Sequence, residues 1–85
     1  MSLRLRPDVS LTDTEYGTVL LDERSGRYWQ LNPTATVVVR TLLDGGDAEA
    51  AVSALAGEYA VAEDRARNDV TSLVDGLRSA GLVTS

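Results

Sequence analysis

The chain contains no cysteine and no histidine. The first absence excludes a disulfide framework and any thiolate metal site. The second removes the commonest general base, the commonest neutral metal ligand, and the Ser–His and Cys–His pairs of nucleophilic enzymes. Few enzymes work without either residue, so catalysis is disfavoured before any motif is read. Lysine, isoleucine and phenylalanine are also missing, and all eight basic residues are arginine, a pattern that fits a GC-rich bacterial genome. Positive charge is scarce: 8 basic residues stand against 13 acidic ones, for a net charge of −5. Nucleic acid and anionic membrane call for the opposite balance, because phosphate neutralisation supplies much of such affinity. No apolar run approaches the roughly 20 residues of a membrane span. Arg4 and Arg6 are not followed by the apolar block of a secretion signal, so the expected location is the cytoplasm. There is no Gly-rich phosphate loop and no metal-ligand spacing, and neither cofactor nor metal is expected.

What is present is 85 residues, 44% of them hydrophobic. That is one globular domain, residues 1–85, with a small core and modest stability. Its organising stretch runs from Arg27 to Gly46. Tyr28 to Leu31 is aromatic-rich and free of Gly and Pro, as a half-buried strand should be. Asn32 offers a capping oxygen, and Pro33 occupies the first helical position, where its missing N–H costs nothing. Ala35, Val38, Val39, Leu42 and Leu43 then form one apolar helical stripe. Asp44-Gly45-Gly46 closes the helix.

Before this stretch, Val9 to Thr12 and Thr18 to Leu21 read as two strands. The turn residues Asp13 to Gly17 separate them, and the loop Asp22-Glu23-Arg24-Ser25-Gly26 leads to a third strand, Arg27–Leu31. Three strands with short connections make an antiparallel meander. With Asp22 and Arg27 flanking the turn, Leu21 lies across from Tyr28, Leu20 from Trp29 and Val19 from Gln30. Trp29 and Leu31 then share the helix-facing side, and a one-residue slip would reverse this. Leu3 to Arg6 alternates as a short edge strand or a frayed arm. After the first helix, Asp47 caps a second helix with the stripe Ala48, Ala51, Val52, Leu55, Ala56 and Tyr59. A third runs from about Glu63 to Ala80 with the stripe Ala66, Val70, Leu73, Val74 and Leu77. Gly81 and Leu82 suit a Schellman closure at its end, with Thr84 and Ser85 frayed. The expected fold is α+β and winged-helix-like: a three-stranded antiparallel sheet followed by three helices.

This architecture leaves functions of different classes open. A small sheet has free edges to which an extended peptide can add as a strand. Alternatively the third helix could enter duplex DNA, but Arg65, Arg67 and Arg78 are outnumbered there by Glu63, Asp64, Asp69 and Asp75. Catalysis has only the pairs Asp22/Glu23 and Glu63/Asp64 to offer, and capping and solvation account for both. No catalytic residue is assigned.

The run Tyr28-Trp29-Gln30-Leu31-Asn32-Pro33-Thr34-Ala35, continuing through Leu42-Leu43-Asp44-Gly45, resembles the PqqD-like family. Its members carry an aromatic-x-Leu-Asn-x-Thr-Ala run, a helix, then Leu-Leu-Asp-Gly. Ala80-Gly81-Leu82-Val83 is similar to that family's close, and the resemblance covers nearly the whole chain. Such proteins are RiPP recognition elements, leader-peptide-binding domains of ribosomal peptide biosynthesis. This chain is most similar to the discrete recognition protein of lasso peptide pathways. A peptide chaperone for quinone cofactor assembly or for another such pathway remains the alternative.

The resemblance implies that a precursor's leader pairs with the third strand and packs under the third helix. It also implies delivery to a separate cysteine leader peptidase and to an asparagine-synthetase-like macrocyclase. Carried onto this chain, the strand side of the groove is Arg27, Tyr28, Trp29, Gln30 and Leu31. The helix side is Arg67, Val70, Leu73, Val74 and Leu77, with Asp69 as a polar partner. Four of these must also build the core, so only part of the stripe is expected to meet the peptide. For Tyr28 and Trp29, core packing and peptide contact stand level.

Overall fold

The computed structural model describes residues 3–84. Its elements are β1 (Arg4–Leu5), β2 (Val9–Thr14), β3 (Gly17–Asp22), β4 (Arg27–Leu31), α1 (Pro33–Leu43), α2 (Ala48–Tyr59), α3 (Glu63–Ser79) and β5 (Val83–Thr84). The expected third strand is thus β4. It lies at one edge of an antiparallel meander of order β2-β3-β4. The first hairpin closes between Thr14 and Gly17, where Gly17 takes φ +122°, a conformation that side chains resist. In the second turn the Asp22 carboxylate accepts from the Arg24 amide at 3.0 Å and from Ser25 Oγ at 3.1 Å. The β3–β4 register is the expected one, with Leu21 opposite Tyr28, Leu20 opposite Trp29 and Val19 opposite Gln30.

Alternation along the strands puts Leu20 and Leu31 in the core, with Thr18 buried on the same face. Thr18 stays satisfied because its hydroxyl donates to Asp13 Oδ1 at 2.8 Å. Asn32 caps α1 as its position suggested, accepting from the Ala35 amide at 2.8 Å. Asp47 does the same for α2 through the Ala50 amide, also at 2.8 Å. Val38, Val39 and Leu42 of α1 meet Ala51, Val52 and Leu55 of α2 in the core. The small alanines let these two helices lie close. Gly46 shares that tightness: a Cβ there would stand 2.8 Å from the Thr41 carbonyl oxygen.

Three expectations change. Tyr59, expected within the buried stripe of α2, is 39% exposed, because the helix ends there and Ala60 turns away in the left-handed region. Thr84, expected to fray, belongs to β5, while Ser85 lies outside the described residues. The N-terminal segment is a strand, but β1 pairs with β5 rather than with the meander. Leu3, Leu82 and Val83 are buried together there, which makes pairing of the two chain ends worthwhile. The Schellman closure that delivers β5 is present: Gly81 has φ +73°, and the Leu82 amide donates to the Leu77 carbonyl at 3.1 Å. No helix among the described residues is long and apolar enough to cross a membrane.

Candidate functional site

β3 occupies one edge of β4, and among the described residues no strand occupies the other. In an antiparallel ladder, alternate residues aim both N–H and C=O at the same neighbour. Two or three residues of β4 therefore present paired donors and acceptors at the free edge. α3 and its C-terminal cap line hollows beside both ends of β4, while α3 packs against α2 and makes little contact with β4 itself. A groove remains between them.

Two concavities mark its ends. One, of about 460 Å³, is lined by Arg27, Tyr28, Trp29, Ala80 and Leu82, together with the turn residues Asp22 and Ser25. The other, of about 790 Å³, brings Asn32, Thr34 and Ala35 against Arg65, Asp69, Ser72 and Leu73. The start of β4 thus faces the end of α3, and the end of β4 faces its middle, so the two run in opposite directions.

The assigned strand residues fall into three groups. Leu31 is core and can serve a ligand only through its backbone. Trp29 shares the core-facing side with Leu20 but is 45% exposed, because it sits over the groove where α3 stands off. Tyr28, 69% exposed, and Gln30 point to the opposite, outer face of the sheet. There Gln30 Nε2 donates to the Tyr16 carbonyl at 3.2 Å.

The helix residues divide as well. Val70, Val74 and Leu77 are buried in the core. Leu73 is half-buried and Asp69 exposed, and both line the groove. Arg67 is held elsewhere. Its guanidinium pairs with Glu49 of α2 and lies 3.1 Å from Glu63, on the flank of α3 away from β4. Glu49 holds Arg67 above its ordinary value, and Arg67 in turn draws Glu49 below the usual carboxylate range. The sequence could not separate these flanks, because Arg67 and Leu73 border the same apolar stripe on opposite sides.

The groove also takes in residues not singled out from the sequence. Gly76 and Ala80 continue the row begun by Asp69 and Leu73, at steps of four, three and four along α3. The stepping was visible, but its orientation toward β4 was not. Tyr16 is 81% exposed. With Val19, Leu21 and Tyr28 it lines an apolar hollow of about 450 Å³ on the outer face of the sheet.

Chemically the arrangement offers main-chain hydrogen bonds, apolar walls and few charges. Each added bond nets roughly 0.5–1.5 kcal/mol. Ordering each residue of an incoming chain costs roughly 1–2 kcal/mol. Pairing alone therefore comes close to balance, and affinity must come from apolar side chains seated beside Trp29 and Leu73 at about 25 cal/mol per Å² buried.

The fold and this open edge define a winged-helix-like α+β binding domain. The family described as coenzyme PQQ synthesis protein D (PqqD) matches residues 17–83, and the chain belongs to that family. A solved structure described as lasso peptide synthetase B1 complexed with the leader peptide is 44% identical, covers 100% of both chains and superposes with a TM-score of 0.94. A second, TbiB1 in complex with the TbiA(beta) leader peptide, is 22% identical, covers 96% of this chain and 95% of its own, and shares the fold at a TM-score of 0.85. None of the curated proteins matches the sequence.

Proposed function

We propose that this chain captures the leader region of a ribosomally made precursor as an added strand on β4, beside α3, and serves lasso peptide biosynthesis by binding rather than by catalysis. The observation that carries this reading is the free β4 edge facing a helix that stands off from it. It occurs in a chain 44% identical throughout to a protein solved with its leader peptide. That full-length likeness favours the lasso pathway over quinone cofactor assembly. A purely binding role agrees with a sequence that lacks histidine and cysteine. Arg27, Tyr28, Trp29, Gln30 and Leu31 form the strand side of the proposed site, Leu31 through its backbone. Asp69 and Leu73 form the helix side, with Val70, Val74 and Leu77 as the packing behind them. Arg67 buttresses α3 from the far flank.

The bound leader is then presented to a separate cysteine leader peptidase and an asparagine-synthetase-like macrocyclase. The outer sheet face supports the first of these steps, because exposed Tyr16 and Tyr28 with Val19 and Leu21 offer apolar area next to the leader-bearing edge. Tyr16→Glu is then expected to slow leader removal by the peptidase while leaving leader affinity unchanged. Equal cleavage rates would move the peptidase to another surface.

The decisive experiment is a titration of the protein with a synthetic leader, followed by amide NMR shifts and by the fluorescence of Trp29, its sole tryptophan. Shifts centred on Tyr28–Leu31 and on the Asp69–Ala80 row are expected. A proline replacing a leader residue whose N–H meets β4 should weaken binding by about 1 kcal/mol or more, through the lost bond and local strain. Proline tolerated at every leader position would exclude strand addition. Salt-sensitive shifts with duplex DNA and none with the leader would favour the DNA-binding alternative.

A further inference from the structure

Charge is unevenly spread along the groove. Five of the eight arginines, Arg4, Arg6, Arg24, Arg27 and Arg78, belong to the end of the molecule where β4 begins and α3 finishes. Only four of the thirteen acidic residues, Asp8, Asp22, Glu23 and Asp75, lie there with them. The other three arginines share the rest of the chain with nine acidic residues. A protein of net charge −5 therefore has one end with a slight positive excess.

This end is one mouth of the groove. Arg27 lines it beside Trp29 and Ala80. Arg6 and Arg24 line the adjoining hollow, which shares Asp22 with it and reaches Gly81. Two of the local carboxylates are already engaged: Asp22 is bonded within its own turn, and Asp8 stands 3.5 Å from Arg24. Among the described residues, the guanidinium groups of Arg6 and Arg27 have no ion-pair partner within 4.0 Å. The opposite mouth differs. Asp69 and Arg65, one charge of each sign, line it, and Glu63 in the first turn of α3 is engaged by Arg67 on the other flank.

We infer that the groove reads the direction of its peptide by charge. An added strand antiparallel to β4, like every pair in this sheet, leaves past Arg27 with its downstream side. Carboxylates just downstream of the paired segment then meet the arginine mouth. Residues just upstream meet a mouth without that positive excess, in a protein of net charge −5, so carboxylates gain nothing there. The inference rests on the leader-binding reading above. It adds the chemical class of the downstream flank, which main-chain pairing cannot specify. Exposed ion pairs are weak individually, so each correctly placed carboxylate should tighten binding about 1.5- to 5-fold at low ionic strength. The effect should fade as the Debye length falls from about 30 Å to about 3 Å between 0.01 M and 1 M salt.

The test uses three synthetic leaders with one common paired segment. The first carries two glutamates immediately downstream, the second two glutamines there, and the third the same two glutamates immediately upstream. Trp29 fluorescence reports affinity for the wild-type protein and for Arg27→Glu, an exposed position whose folding is checked by circular dichroism. At low salt downstream glutamate is expected to bind tightest, with glutamine and upstream glutamate both weaker. Arg27→Glu should abolish the downstream advantage, and high salt should level all three. Equal affinities for all three leaders at low salt, with each of them binding, would overturn the charge reading and leave leader capture intact. An advantage that persists in Arg27→Glu would overturn it too. Failure of all three to bind would overturn leader capture, and the charge reading with it.

Discussion

Gly76 carries more information than its neighbours on α3. Glycine inside a helix costs roughly 1 kcal/mol relative to alanine, and nothing in the folded chain demands it, since a Cβ built there meets no atom within 4 Å. It sits between Leu73 and Ala80 on the row that faces β4, where a missing side chain leaves room for a bound backbone. Gly76→Ala should therefore stabilise the free protein by up to about 1 kcal/mol, or roughly 4–8 °C in Tm. It should weaken leader binding by about 1 kcal/mol, the scale of mild overpacking. Gly57 of α2 is the control: a Cβ built there also meets no atom within 4 Å, and Gly57→Ala should raise Tm without touching affinity. Parallel thermal melts and titrations decide the matter. If Gly76→Ala left binding unchanged, the groove would not close on that part of α3. Val70 and Val74 are the wrong positions for such a probe. Both are buried, so an introduced aspartate reports on folding rather than on the groove.

At the scale of elements, the helix starts and the tight α1–α2 corner have separable energetics. Asn32 joins the end of β4 to the start of α1, so its cap fixes the direction in which the strand feeds the helix. Asn32→Ala should cost about 0.5–2 kcal/mol, read as a shift in the denaturation midpoint. Gly46→Ala belongs to a different mechanism. Its added methyl would press on the Thr41 carbonyl and approach the Ala50 Cβ at 3.3 Å, between two helices that cannot both stay in place. A loss of about 1–3 kcal/mol is expected there. A neutral result at position 46 would mean that α1 and α2 slide apart easily.

At the scale of the whole molecule, two ion pairs tie separate parts of the chain together. Asp13 of β2 accepts from Thr18 and lies 2.6 Å from Arg40 of α1, joining the first hairpin to the helices. Glu49 joins α2 to Arg67 of α3. Thr18's hydroxyl, then Arg40, hold Asp13 below its usual value, and Arg67 holds Glu49 below its own. A carboxylate depressed in the folded state contributes stability that is whole above its unfolded value. That contribution is lost as pH falls through the folded one. Stability should therefore decline below about pH 4. Replacing Asp13 and Glu49 together by Asn and Gln should flatten that acid limb in melts recorded against pH. Both pairs are exposed, so added salt should shrink the effect.

Much of this architecture was legible in the sequence, because it rests on interactions between residues close along the chain. The Asn32 and Asp47 caps, the Gly81–Leu82 closure and the Leu20–Trp29 register each follow from a side chain or a turn acting over a few positions. So does the aromatic-x-Leu-Asn-x-Thr-Ala run that carried the family resemblance. What only the tertiary structure decided is how those elements meet. Periodicity marks an apolar stripe but not which of its borders a neighbouring helix covers. Arg67 and Leu73 could be separated only once α2 took one flank of α3 and left the other facing β4. Alternation likewise put Trp29 and Leu31 on one face, but burial depends on what lies above that face: Leu31 is covered by the packed helices, and Trp29 looks into the groove. The pairing of β1 with β5 joins opposite ends of the chain, and no local pattern can encode a contact that exists only after everything between them has folded.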